Sequence, residues 1–292
     1  MRFAGVFVGV WLSLSLPICG VHAGELRTGG KLLLTDGVTN VEGVAGGGLS
    51  NWAVIAGNET RDGYGGSVHL TGVGVSDFQM TTEGAAVGLF DRVELSYAHQ
   101  RFDTQDAGAK LGLGKNYAFS QDIVGAKVRL LGNLVYDQDT WLPQISAGLE
   151  YKRADRDALV RALGAKDNQG VDYYVSATKL ILSQSLLLSG AVRLTRANQF
   201  GLLGFGGDRD SAYKPEFEGA AAMLLTRRLA VGAEYRTKPD NLGFAHEDGA
   251  WSAFAAYALN PALSVTLAYV DLGDIATFRN QRGLYASLKA GF

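Results

Sequence analysis

The strongest regularity in this chain is a period of two. Leu263, Val265, Leu267 and Tyr269 alternate with Ser264, Thr266 and Ala268, while Trp251, Ala253, Ala255, Tyr257 and Leu259 share one face of the segment before them. Alternation places successive side chains on opposite sides of the backbone, which is strand geometry and not helix geometry. This decides the stretch 249–270, which carries no charge and is long enough to cross a bilayer as a helix. Asn260-Pro261 lies in its middle as a turn signal, so the stretch reads as a hairpin.

The pattern recurs. Val93, Leu95 and Tyr97 alternate with Glu94, Ser96 and Ala98; Val124, Ala126, Val128 and Leu130 with Gly125, Lys127 and Arg129. Ile145, Ala147, Leu149 and Tyr151 alternate with Ser146, Gly148, Glu150 and Lys152, and Leu188, Gly190, Val192 and Leu194 with Ser189, Ala191, Arg193 and Thr195. Leu229, Val231, Ala233 and Tyr235 do so with Gly232, Glu234 and Arg236. Each unit is about ten residues, the length a tilted strand needs to cross a bilayer.

The links supply topology. Short ones fall at Phe90-Asp91-Arg92, Ser183-Gln184, Thr226-Arg227-Arg228 and Asn260-Pro261. Long polar ones fall at 103–120, 152–170, 197–214, 237–248 and 273–282. Short turns on one side and long loops on the other are expected of a transmembrane antiparallel up-and-down β-barrel, with the short turns periplasmic and the long loops extracellular. The link 132–140 departs from this, being long for a periplasmic turn. Counting back from the C terminus gives twelve strands, starting near Gly65, Phe78, Arg92, Phe119, Trp141, Val171, Ser185, Pro215, Arg228, Gly249, Pro261 and Gly283. Fourteen strands is the alternative. The barrel then spans 63–292. Residues 24–62, glycine-rich around Gly46-Gly47-Gly48, are left to plug the lumen or to add two strands.

Residues 1–23 read as a secretory signal, with Arg2 at the start, an apolar run from Phe3 to Leu16, and Val21-His22-Ala23 as the cleavage pattern. Cleavage removes the chain's single cysteine, Cys19, and leaves 26 basic against 29 acidic residues. An exported domain without disulfides must be held by an extensive core or a closed sheet. Thiolate metal sites and thiol catalysis are excluded, and the charge balance offers no footprint for nucleic acid. The 39 glycines, 5 prolines and 19% charged residues fit thin strands beside an apolar phase.

The last strand, Leu284, Ala286, Leu288 and Ala290 at alternate places before the terminal Phe292, resembles the C-terminal strand of Gram-negative outer-membrane proteins. That resemblance implies recognition by the barrel-assembly machinery and a place in the outer membrane of a Gram-negative bacterium. A wider resemblance lies in Gly84-Ala85-Ala86-Val87-Gly88-Leu89-Phe90-Asp91-Arg92-Val93-Glu94-Leu95-Ser96, in Val135-Tyr136-Asp137-Gln138-Asp139 with Trp141-Leu142-Pro143-Gln144, and in Ala233-Glu234-Tyr235-Arg236-Thr237-Lys238-Pro239-Asp240-Asn241-Leu242. These segments are similar to a bacterial outer-membrane family, domain of unknown function 3034. The resemblance implies location and architecture and supplies no catalytic residues.

A basic side chain facing lipid at mid-depth costs roughly 2–4 kcal/mol, so charged residues within the strands should point inward. The candidate lumen-lining set is Glu94, Lys127, Arg129, Glu150, Arg193, Glu218, Glu234, Arg236 and Lys289. Both signs are represented, which argues against a ring selective for one charge. Tyr64, Tyr97, Tyr151, Tyr173, Trp251 and Tyr257 suit an aromatic girdle. No cofactor or metal is expected. His69, His99 and His246 are dispersed, and no nucleophile elbow is present. The expected role is a passive porin-like channel for small solutes. A plugged barrel with a structural or partner-binding role is the alternative, and an outer-membrane hydrolase stands third.

Overall fold

The computed structural model describes residues 30–292; the secretory signal expected at 1–23 lies outside them. Two short strands, β1 (Val38–Thr39) and β2 (Ala45–Gly46), pair only with each other. Twelve longer strands follow: β3 (Tyr64–Val75), β4 (Gln79–Leu89), β5 (Val93–Asp103), β6 (Ala118–Leu131), β7 (Gln144–Ala154) and β8 (Gln169–Ile181). The wall continues with β9 (Leu186–Thr195), β10 (Lys214–Leu224), β11 (Leu229–Arg236), β12 (Ala250–Asn260), β13 (Leu263–Asp271) and β14 (Arg282–Gly291). Every neighbour is antiparallel, and β14 pairs with β3 through Leu288↔Leu70 and Leu284↔Gly74, closing a twelve-stranded barrel. The wall therefore has no free edge. The twelve strands anticipated from alternation are these twelve, each starting within three residues of its expected position. The fourteen-strand alternative is not adopted: β1 and β2 stand apart from the barrel sheet.

The alternation seen in the sequence becomes an inside and an outside. In β12, Trp251, Ala253, Ala255 and Tyr257 are exposed, while Ala250, Ser252, Phe254, Ala256 and Ala258 are buried. In β14, Leu284 and Leu288 are exposed, and Tyr285, Ser287 and Lys289 are buried. Val68, Leu70, Leu95, Val124, Val175, Phe217 and Leu267 extend this apolar outer band around the barrel. In water such a surface would be an aggregation liability; against hydrocarbon it costs nothing. Among the described residues no helix is long and apolar enough to cross a membrane. The six girdle aromatics are exposed on the outer face. Trp251 and Tyr269 on adjacent strands make a tilted ring contact with centroids 5.7 Å apart.

Four tight turns, β4–β5, β8–β9, β10–β11 and β12–β13, lie at the end of the barrel that holds the C terminus, together with the longer link 132–143. Phe90 and Asp91 both take positive φ between β4 and β5, the backbone twist that suits a short hairpin connection. The long links β5–β6, β7–β8, β9–β10, β11–β12 and β13–β14 rise from the opposite end, where β3 and β4 are joined by only Ser76, Asp77 and Phe78. Two short helices, α1 (Ala107–Lys110) and α2 (Asp157–Ala162), sit in the long links.

Candidate functional site: the filled lumen

Every residue from 35 to 57 is buried, and no glycine-rich segment of this kind could bury itself. It enters the barrel at the tight-turn end, runs through β1, turns back through β2, turns again at 47–50, where Gly46 bridges Asn51, and passes Trp52 to leave at Gly57 (φ +93°). The first turn is closed by the Asn40 amide donating to the Val44 carbonyl (3.0 Å) and the Gly43 amide to that of Asn40 (2.8 Å). Such a segment cannot satisfy its own backbone, and an unpaired buried peptide group is costly. The wall satisfies it.

The inward carboxylates accept from the segment's amides. Glu94 takes the Ala45 amide at 3.1 Å and the Ala56 amide at 2.8 Å. Glu234 takes those of Leu49 (3.0 Å) and Ser50 (3.1 Å), together with the hydroxyls of Ser50 (2.7 Å) and Ser252 (2.8 Å). Glu218 accepts from the Asn51 amide, and Glu150 from the Asn51 side chain at 2.8 Å. The inward bases donate to the segment's carbonyls. Lys127 Nζ reaches Ala45 and Val54, each at 2.8 Å, and Lys289 Nζ reaches Gly37 at 2.7 Å and the Asp36 carboxylate at 2.5 Å. Gln100, Gln144, Ser146 and Tyr285 donate to further carbonyls of Val41, Ala53 and Thr39.

One side chain of the segment carries charge into the centre. Glu42 receives Arg236 through Nη1 (2.6 Å) and Nη2 (3.1 Å), Arg193 Nη2 at 3.3 Å, and the Lys152 ammonium. Burial alone would push its carboxyl up; Arg236, Lys152 and Arg193 outweigh that and hold it well below the usual carboxylate range. Arg193 also binds Glu218 (2.7 Å), Glu150 (2.8 Å) and Asp172 (3.2 Å). Glu42, Glu150 and Asp172 bring oxygens within 4.8 Å of one another, a spacing that would suit a metal. Lys152 Nζ contacts all three, at 2.6 Å for Asp172 and 3.2 Å for Glu150, and supplies the positive charge there.

All nine candidate lumen residues are buried inside the barrel. Eight of them touch the N-terminal segment. Arg129 instead pairs with Asp91 at the tight-turn end, where Lys31 Nζ bridges Asp91 (3.1 Å) and Glu59 (3.3 Å). Burial pushes the Glu59 carboxyl up to about 7. The candidate set left out Glu42, Lys152 and Asp172. Lys152 was legible, two places after Glu150 on the same face; Glu42 lies in a segment with no period at all. The final-strand residues Leu284, Ala286, Leu288 and Phe292 face outward, and Ala290 is half-buried. The Phe292 carbonyl accepts from the Asn58 and Gly66 amides, each at 3.1 Å, so the chain end is tied to the foot of the segment.

The Gly46-Gly47-Gly48 run has a steric reason. A Cβ on Gly47 would lie 2.1 Å from Glu234 Oε2, and one on Gly46 would lie 2.4 Å from the Ser50 carbonyl oxygen. Only bare backbone can approach the carboxylate this closely. Two cavities between the segment and the wall hold only about 30 and 20 Å³, room for a water molecule or two. A third of about 170 Å³ opens at the tight-turn end between Thr35, Val54 and Ile55 and the link at Asn133, Leu134 and Tyr136.

From the other end the β9–β10 link folds down over the segment. Residues 197–207 are all buried, and Gln199 (φ 45°) and Phe200 (φ 61°) both take left-handed conformations. Such strain persists only where surroundings over-determine it. Here the Arg236 guanidinium lies over the Phe200 ring, 4.4 Å from its centroid. The Gln199 amide donates to Glu247 at 2.9 Å, and its side chain donates to the Asp274 carbonyl at 2.6 Å. Burial raises the Glu247 carboxyl to about 7 and lowers the neighbouring Lys238 amine.

Solved structures share the barrel. The KdgM porin aligns over 77% of this chain and 99% of its own, with 9% identity and a TM-score of 0.50. The NanC porin aligns over 77% and 97% at 10% identity and TM-score 0.47. The COG4313 outer membrane channel from Pseudomonas putida F1 aligns over 78% and 94% at 14% identity and TM-score 0.43. At these identities the KdgM likeness speaks for a porin-like outer-membrane barrel fold and nothing finer. Among curated proteins none matches this chain in sequence. Residues 35–289 match the family described as a protein of unknown function, DUF3034. The match begins where the buried segment begins and runs into the last strand, so wall and filling are one family unit, and the chain belongs to the DUF3034 family.

Proposed function

We propose that this protein is a porin-like channel of a Gram-negative outer membrane whose lumen is closed from the periplasmic side by its own residues 35–57. The observation that carries the reading is the polarity of the closure. Val41, Leu49, Trp52 and Val54 pack into the core, but the wall's specific grip on the segment is made of hydrogen bonds and ion pairs, which water can replace when it leaves. A lumen meant to stay solid would gain by apolar filling, because buried ion pairs exchanged for well-packed hydrophobic groups are often neutral or stabilising. With the segment withdrawn, Glu94, Glu150, Asp172, Glu218 and Glu234 would face Lys127, Lys152, Arg193, Arg236 and Lys289 across a wet lumen of mixed charge. That lining suits small polar solutes of either sign.

The outer band meets lipid in this reading, and the alternating C-terminal strand ending in Phe292 addresses the assembly machinery. The role is transport and not catalysis. His69 is buried in the wall, His99 pairs with Asp122 on the outer face, and His246 lies between Asp240 and Asp248 on a loop. Among the described residues none of the three is hydrogen-bonded to a serine hydroxyl.

The test is conductance in planar bilayers of a chain beginning at Gly24 and of the same chain lacking 24–62. The intact chain should be nearly silent and the shortened one should show discrete steps. Silence from both would mean a wall that collapses or a role without conduction, and would defeat the proposal. Steady full conductance from the intact chain would show that the segment does not close it.

A further inference from the structure

Above the N-terminal segment the lumen changes character. Barrel interiors in the outer membrane are polar, and the middle of this one is. The end beneath the long loops is apolar. A cavity of about 100 Å³ lies there, floored by the buried rings of Phe78, Phe102 and Phe119, which follow one another in tilted contact with centroids 5.2 Å apart at each step. Its sides come from separate links: Leu113 between β5 and β6, Leu163 just after α2, Leu203 between β9 and β10, Phe244 between β11 and β12, and Ile275 between β13 and β14. Leu113 and Leu163 are only half-buried, and Phe244 is exposed. The polar side chain on the lining is Thr104, whose hydroxyl is already spent on the Tyr117 carbonyl at 2.8 Å. The smaller cavity below it shares the three phenylalanines and ends on Val41 and Leu49 at the tip of the segment.

A well-packed loop core would account for the buried rings. It would not account for the void, because packed interiors leave few spaces larger than a water. Nor would it account for half-exposed leucines converging from polar loops upon one opening. We propose that this vestibule is a binding site, facing the cell exterior, for a small uncharged aromatic molecule of about one ring. A polar solute would lose its hydration there with nothing to replace it. An apolar ring would gain burial and edge-to-face contact with the phenylalanines. Engineered apolar cavities of about 150 Å³ accept benzene, and the half-exposed rim can move to supply the difference. The site is independent of whether the segment below it ever leaves.

The test uses the chain from Gly24 in lipid nanodiscs, with isoleucine δ1 methyls labelled and toluene as the probe. Ile275 lines the cavity, Ile55 lies in the buried segment, and Ile145 and Ile181 sit on the wall as reporters of toluene dissolved in lipid. The Ile275 signal should shift and saturate while Ile145 and Ile181 move little. Glycerol should leave it unmoved. Leu163→Arg, at the exposed rim, should weaken the toluene effect at least tenfold with Ile55 unchanged, which verifies folding. A shift that never saturates, an equal response at Ile145 and Ile181, or a Leu163→Arg variant that binds as before would overturn the site.

Discussion

Replacing Glu42 by Gln removes one charge and almost no volume. Arg236 then loses the carboxylate it meets at 2.6 and 3.1 Å, its next acid being Glu218 at 3.6 Å. Lys152 and Arg193 keep Glu150 and Asp172. The damage is therefore centred on the grip between wall and segment. Breaking one partner from a buried ion cluster costs about 3–5 kcal/mol. The lower end applies here, because Glu218 compensates in part and Arg236 keeps the Leu49 carbonyl at 3.2 Å. A loss of about 3 kcal/mol lowers the ratio of seated to unseated segment about a hundredfold. A chain beginning at Gly24 has no cysteine, so Ala45→Cys supplies a single buried thiol in β2. Its maleimide labelling rate in intact proteoliposomes should rise about a hundredfold when Glu42→Gln is added, and bilayer conductance should rise with it. Glu42→Lys, which puts a fourth base among three, should go further. If both variants label like the parent, the charge cluster does not hold the segment and the reasoning fails.

The β9–β10 link should respond to pH through Glu247. Its carboxyl is raised from 4.5 to about 7, first by burial, with Asp240 and Glu216 adding to the rise and Lys238 and the Gln199 amide opposing it. An acid raised on folding binds more protons folded than unfolded between those two values, so the stability it contributes falls as pH climbs from about 4.5 through 7. Protection of the Gln199 amide, corrected for intrinsic exchange, should therefore be greater at pH 5 than at pH 7.5. Glu247→Gln should flatten that dependence, and an unchanged slope would assign it to another group. Phe292→Ala keeps the terminal carbonyl bonded to Asn58 and Gly66 while removing the aromatic ring. It should lower the yield of heat-modifiable barrel in the outer membrane several-fold with little change in the stability of what does assemble. A normal yield would remove Phe292 from the assembly signal.

How much of this could be read beforehand depended on whether a residue lay in a periodic segment. Glu94, Lys127, Arg193 and Glu234 were identifiable as inward because each stands between apolar neighbours in an alternating strand, and lipid forbids the opposite register. The same rule placed Leu284 and Leu288 outward. It was silent on Glu42, Asn51 and Gln199, which lie in stretches without a period. It also left open what the inward charges do: nine side chains of mixed sign suit a wet pore and a filled one equally well.

The sequence by itself therefore determined the wall, its twelve strands, their register to within a few residues and the face each presents. Those follow from local alternation and the cost of charge in hydrocarbon, and both act along a few neighbouring residues. Only the tertiary structure decided what fills the lumen. The partners of residues 39–56 come from β5, β6, β7, β8, β9, β10, β11 and β14, and Leu49 bonds to Glu234 across 185 positions of chain. A glycine-rich segment carries no pattern of its own. Its conformation is set by the hydrogen-bonding groups that the closed barrel turns toward it.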